Sequence, residues 1–255
     1  MSCTKFFYNN LVKSATLTPS SENALFPVEN IQDDRRTKVF RSTANSDDIY
    51  FDFGSAEEID SFMAVGHIIN GIGFSSASLE LNNVATWTSG AIETIPITID
   101  YVNNLAYGSV DIPVNARYAK LILTSTTGFV EVSKVFIGAS TEIGTNDFSF
   151  PLKFQNNNLG SAQKNRYGQK FFDIVISQKS FSAGISTMTN EEVEVIYQLA
   201  GFCSIDRPFF MRIDGAQVFS DGNRTAGYYY LKDDPVYTYS PGGFWNADLI
   251  LEEGT

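Results

Sequence analysis

Three features of the 255-residue chain predict a mainly β protein: an N-terminal antiparallel β-sandwich followed by a smaller α+β domain with one helix. Short runs of aromatic and β-branched residues recur, each closed by Asn, Gly, Ser or Thr turns. Helical periodicity is confined to one stretch near residues 190–203. A small, polar stretch at 138–147 separates two differently patterned parts, and the boundary is placed to give domains 1–143 and 144–255.

The elements follow in chain order. Residues 49–54 (Ile-Tyr-Phe-Asp-Phe-Gly) read as a strand with a glycine stop, and 59–69 as a second, broken at Asn70-Gly71. Residues 77–81 alternate apolar and polar up to the turn at Asn82-Asn83. Runs at 105–112, 119–123 and 129–138 supply three more strands, enough for a sandwich of short antiparallel strands. In the second part, 148–154 reads as a strand, 155–161 as a polar loop, and 170–176 as a strong strand. Thr189-Asn190-Glu191-Glu192 is a capping box, in which the Thr hydroxyl and the Glu carboxylate satisfy the orphan amides of a helix start. Ile196, Leu199, Ala200 and Cys203 then fall on one apolar face. Strands at 208–213, 227–232 and 244–251 complete an antiparallel sheet with one helix.

Composition narrows the function. At 43% hydrophobic residues the chain can bury a real core, and its 18% charged residues are not those of a disordered chain. The net charge is −11, and both parts are acidic: nine basic and sixteen acidic residues in 1–143, nine and thirteen in 144–255. Phosphate binding needs clustered Lys and Arg, and 33–38 (Asp-Asp-Arg-Arg-Thr-Lys) carries two acids of its own, so no nucleic-acid partner is expected. No run has the roughly 18 apolar residues of a membrane helix, and the N-terminus has no signal-like apolar stretch. The expectation is a protein made in a host cytoplasm, without membrane insertion, that leaves by lysis or in a particle. Cys3 and Cys203 are read as inert thiols, since no CxxC pair exists for zinc. With His67 as the single histidine, Ser-His and Cys-His catalysis have little to work with. No catalytic residue, metal or cofactor is expected, and the chain reads as a non-enzyme.

The order of motifs in the first part resembles the discoidin, or galactose-binding-like, jelly roll. An early strand with Ser20-Ser21 leads to Phe26-Pro27-Val28-Glu29-Asn30-Ile31 and the acidic loop at Asp33. Thr37-Lys38-Val39-Phe40-Arg41-Ser42, Asp52-Phe53-Gly54 and Ala116-Arg117-Tyr118-Ala119-Lys120-Leu121 follow. The chain departs from that family at Phe40, where Trp is usual, and at Phe53, where Leu is usual; both keep bulk for packing. The Phe-Pro-Val-x-Asn-Ile variant is similar to sandwiches in bacteriophage tail and baseplate proteins. The second part, with its aromatic-rich terminal strand, resembles small tail-tip domains. This resemblance implies a structural component of a phage tail tip or baseplate, placed in the virion tail. It would act through other tail proteins and homo-oligomer contacts during assembly or host attachment. The alternative is a carbohydrate-binding module for host-surface glycan.

Several residues are candidates on chemical grounds. Asp33, Asp34 and Arg41 are expected at the loop end of the sandwich as a cation or ligand site or, as the resemblance implies, as a brace that pairs with backbone amides and Arg. For a glycan ligand, Asp33, Arg35 and Trp87 are the nameable contributors, Trp87 as a stacking platform. Asp47-Asp48 and Glu57-Glu58 lie beside turns and read as solvated, not as a glycosidase pair. Tyr228, Tyr229, Tyr230, Tyr237 and Tyr239 form a candidate interface, since tyrosine is enriched at protein contacts. Asp221-Gly222-Asn223-Arg224 lacks the acidic spacing of a calcium loop and reads as a hairpin turn.

Overall fold

The computed structural model describes residues 4–67, 72–101, 103–143, 148–159, 162–164, 166–167, 170–172, 176–203, 207–213 and 226–254. It is mainly β, with antiparallel pairings and one α-helix among these residues. Two compact units emerge: Met1–Glu142 with Phe209–Tyr228, and Ile143–Pro208 with Tyr229–Thr255.

The first unit is organised by two strands of 20 residues each, Ser46–Val65 and Leu105–Thr124, paired from Ser46↔Thr124 to Val65↔Leu105. The sequence suggests four separate strands here. The structure joins them in pairs, because register shifts between Asp52/Glu57 and Ile59/Ser61 let each strand turn a corner and continue. Gly54 makes the corner at φ 82°, a conformation that costs other residues dearly. The end of the pair that holds 46–52 and 118–124 is flanked by Thr16–Pro19 and Ser76–Asn82, and the end that holds 61–65 and 105–109 by Lys134–Gly138 and Thr98–Asp100. Ile49, Phe51, Leu79 and Leu121 from one set join Ile59, Phe62, Ala64 and Val135 from the other in a single buried cluster. That shared core makes the arrangement a sandwich. Phe40 is fully buried within it, and Phe53, half-buried, stacks on Phe51 at 6.3 Å.

The strand residues that face away from this core are buried too. Met63, Val65, Leu105 and Phe136 pack against Phe7, Phe210 and Tyr228. Phe7 lies on Thr4–Phe7 and Phe210 on Phe209–Ile213, two strands paired from Thr4↔Ile213 to Phe7↔Phe210. Full burial of a Phe stabilises by roughly 1.5–3 kcal/mol, so this layer is a substantial part of the unit. Cross-strand pairing thus carries Phe209–Tyr228 back to the first unit, although a boundary at 143 assigns it to the second by sequence order.

In the second unit, Phe148–Leu159, Ile176–Met188 and Phe244–Glu253 form an antiparallel sheet. Tyr229–Leu231 and Val236–Ser240 pair along the other side of Phe244–Glu253. The expected loop at 155–161 is in fact strand through Leu159, with Gln155 to Asn158 opposite Ser180 to Ser177. Backbone ladders, which polar side chains do not prevent, decide this pairing. Of the strand expected at 170–176, Lys170–Phe172 pairs with Ala162–Lys164, while Ile176 opens a separate strand, Ile176–Met188, along a Ser/Gly-rich run of low β-propensity held by partners on both sides. The helix Asn190–Phe202 starts as its sequence dictates: Thr189 Oγ1 accepts from Glu192 N at 3.2 Å, and Glu192 Oε2 accepts from Thr189 N at 2.8 Å. Ile196, Leu199 and Cys203 are buried. Burial pushes the Cys203 thiol up to about 12, which makes it unreactive. Cys3 and the turn at 221–224 lie outside the described residues. Among the described residues no helix is long and apolar enough to cross a membrane.

Candidate functional site

The strand ends at Ser76 and Thr124 open into a cleft of about 470 Å³ in the first unit. Its walls come from 72–75, Tyr101 and the turn 125–131. Ser75 extends the ladder, with its N and Oγ both donating to Thr124 O at 2.6 and 3.0 Å. Tyr101, largely exposed, donates its hydroxyl to Ser75 O at 3.3 Å and forms a lip. In the turn, Thr127 N donates to Ser125 Oγ at 3.2 Å, and Gly128 takes φ 88° so that the chain can reverse toward Phe129.

The floor depends on Gly73. Its N–H donates to Glu131 O at 3.2 Å and its C=O accepts from Glu131 N at 3.1 Å. Glu131 is buried, and on the paired strand Arg41 stands opposite it. Arg41 Nε donates to Glu131 Oε2 at 3.0 Å, and an Nη2 hydrogen bonds the same oxygen. The guanidinium lies 4.3 Å from the Phe26 ring and 4.5 Å from the Phe129 ring. Cation–π contact on both sides and a fixed counter-charge hold the Arg41 side chain in one place. The cleft therefore combines aromatic surface, serine and threonine hydroxyls, and a buried carboxylate whose charge Arg41 balances from behind. That mixture suits a polar ligand with an apolar face.

The residues singled out from sequence lie elsewhere. Asp33 accepts from Arg35 N and Nε at 2.9 Å each and from Nη2 at 2.6 Å. Arg35 thereby holds the Asp33 carboxyl well below the usual carboxylate range. This is the brace geometry, and neither residue lines the cleft. Asp34 pairs instead with Lys13. Trp87 is half-buried on the outer sheet surface, 4.9 Å from Lys120 Nζ and 6.4 Å from the Tyr50 ring centroid. It too is outside the cleft.

The five tyrosines do not make one surface. Tyr228, in the first unit, is buried and donates its hydroxyl to Asp34 O at 3.1 Å. Tyr229 is buried and Tyr230 half-buried; Tyr237 packs on Tyr197, and Tyr239, the exposed one, on Trp245. Asp47, expected in solvent, is buried: its Oδ1 accepts from Ser20 Oγ and Ser21 N, while Oδ2 has no partner. Desolvation raises its pKa.

Of the cleft machinery, sequence reasoning picked out Arg41 but missed Gly73, Tyr101, Phe129 and Glu131. The available signal was Glu131 itself, a lone acid between Val130 and Val132 in an otherwise apolar run.

No protein-family model and no curated protein sequence matches the chain. Solved structures do. A Clostridium perfringens family 32 carbohydrate-binding module, CpGH89CBM32-5 in complex with GalNAc-β-1,3-galactose, is 14% identical with a TM-score of 0.43, over 51% of this chain and 100% of its own. The family 32 module of C. perfringens NanJ, in complex with galactose, is 16% identical with a TM-score of 0.42, over 52% and 98%. A Ruminococcus gnavus GH29 fucosidase in complex with fucose is 21% identical with a TM-score of 0.46, over 54% of this chain and 28% of its own.

Proposed function

We propose that the first unit is a carbohydrate-binding module and that the cleft between Tyr101, Phe129 and Glu131 takes a sugar. One observation carries this reading. Beside the cleft the Arg41 guanidinium rests on the Phe26 and Phe129 rings and bonds Glu131, which with Phe129 lines the cleft alongside serine, threonine and aromatic side chains. A sugar ring presents an apolar C–H face for Phe129 or Tyr101 and hydroxyls for the polar rim. The unit acts by binding. Glu131 is the one carboxylate among the lining residues, whereas glycoside hydrolysis needs a pair roughly 5–9.5 Å apart.

A glycan microarray probed with the full chain tests the proposal. Selective binding that is lost in Phe129→Ala and Tyr101→Ala, with thermal stability retained, is the expected result. An array with no selective signal would overturn it.

The second reading, a phage tail tip or baseplate component, draws on the second unit. Val236, Tyr239 and Phe244 are exposed on the terminal hairpin, a surface suited to another tail protein or a second copy. Light scattering across a concentration series tests it, with rings or small oligomers expected.

A further inference from the structure

We infer that Glu131 makes the cleft selective for neutral over anionic sugars, acting as the internal counter-ion of Arg41. The inference rests on the sugar-site reading and adds the charge class of the ligand. Arginine ordinarily invites carboxylates, because its fork of donors matches their two oxygens. Here the fork is already occupied: Nε and Nη2 both bond Glu131 Oε2. Glu131 is buried at 2% exposure, so its charge is poorly screened and is balanced locally by Arg41. Arg41 stands behind Glu131, and no Lys, Arg or His is among the described residues lining the cleft, so an acidic sugar meets Glu131 first. Thr126, Thr127 and Ser75 offer hydroxyls, which serve a neutral polyol. The net charge of −11 adds a field that repels anions before contact.

An anionic ligand meets two penalties in this cleft. Its carboxylate must approach a buried carboxylate, and it must either break the Arg41–Glu131 pair or remain unpaired. A neutral hydroxyl meets neither, and can add a hydrogen bond to the pair without displacing it. Glu131→Gln keeps the length of the side chain and an acceptor oxygen for Arg41 but removes the charge. The guanidinium then becomes available, and the preference should shift toward acids.

The test is calorimetric titration of the full chain with matched oligosaccharides that differ by one hexuronate in place of a hexose. The wild type should bind the neutral member about tenfold or more tightly than its uronate partner, as expected for like charges brought together in a partly screened site. In Glu131→Gln that gap should close or invert. Equal binding of both members by the wild type would overturn the inference while leaving the sugar site intact, as would a Glu131→Gln variant that keeps the wild-type preference. Binding of neither member would remove the sugar-site reading itself, and the inference with it. Should Glu131→Gln fail to fold, Arg41→Gln decides. It leaves the Glu131 charge without its counter-ion, so the gap should widen if Glu131 sets it and stay unchanged if shape does.

Discussion

Gly73 and Glu131 approach so closely that a Cβ built on Gly73 would fall 2.5 Å from the Cβ of Glu131 and 2.7 Å from its carbonyl oxygen. Backbone occupies that space, so no flexible side-chain end can swing away. Gly73→Ala is therefore expected to force the two segments apart, at about 1–3 kcal/mol, and to displace Glu131 from Arg41. Chemical denaturation and sugar binding measured on the same variant should both fall. A variant with wild-type stability and affinity would show that the bridge is not needed.

Arg35 and Trp87 serve as counter-tests. The Asp33–Arg35 pair is exposed on the arginine side, so Arg35→Ala should leave stability nearly unchanged. Neither Arg35→Ala nor Trp87→Ala should alter glycan binding, because both residues stand outside the cleft. Loss of binding in either would relocate the site.

Lys134 is buried, with its Nζ donating to Asn30 O at 2.6 Å and Lys38 O at 3.1 Å. Burial pushes it from 10.5 down to about 7. Between those values the unfolded chain binds more protons than the folded one, so this group makes stability rise with pH across that window and contributes no slope below it. Lys134→Met should flatten the rise between pH 7 and 9, read as the difference between wild type and variant in urea. The difference is needed because buried Cys203, with its pKa raised, acts in the opposite direction above pH 9.

Asp47 carries the reverse sign. Its pKa is raised by desolvation, so the folded state holds the proton more tightly, and stability falls as pH rises through the folded value. Asp47→Asn keeps an acceptor for Ser20 and Ser21 and removes the buried charge. It should raise stability at neutral pH by about 1 kcal/mol and have little effect in acid. Paired melts at pH 3 and pH 7 check both halves of that statement.

Thr189→Ala removes the hydroxyl that accepts from Glu192 N. The expected cost is about 1 kcal/mol in the second unit, seen as a shift in the far-ultraviolet melt of the helix. Thr189→Ser should restore most of it.

The capping box was legible because everything it needs lies within four residues. The strands of the sandwich were legible for a similar reason, as local alternation. What sequence order concealed was pairing over long distances. Joining 46–52 to 57–65 as one bent strand depends on a partner strand some sixty residues away, and nothing in the run itself announces it. Phe209–Ile213 reads as an ordinary strand, and only its ladder with Thr4–Phe7 reveals which unit owns it. The cleft was hidden by the same mechanism, since Arg41, Gly73, Tyr101 and Glu131 are gathered from four segments far apart in sequence. Asp33 and Trp87 attracted attention by residue type, yet each is committed to a neighbour close by.

The ownership of Phe209–Tyr228 by the first unit has a consequence for synthesis. A ribosome delivers residues 143–208 before the strand that covers Met63, Val65 and Phe136 exists, so the sandwich waits half-clad while the first part of the second unit emerges. A chain stopped at residue 143 would keep its cleft-forming segments but leave Phe7, Met63 and Phe136 facing water beside the side of Thr4–Phe7 that has lost its partner Phe209–Ile213. Such a fragment should be sticky and short-lived, and rejoining residues 207–228 through a short linker should make it soluble.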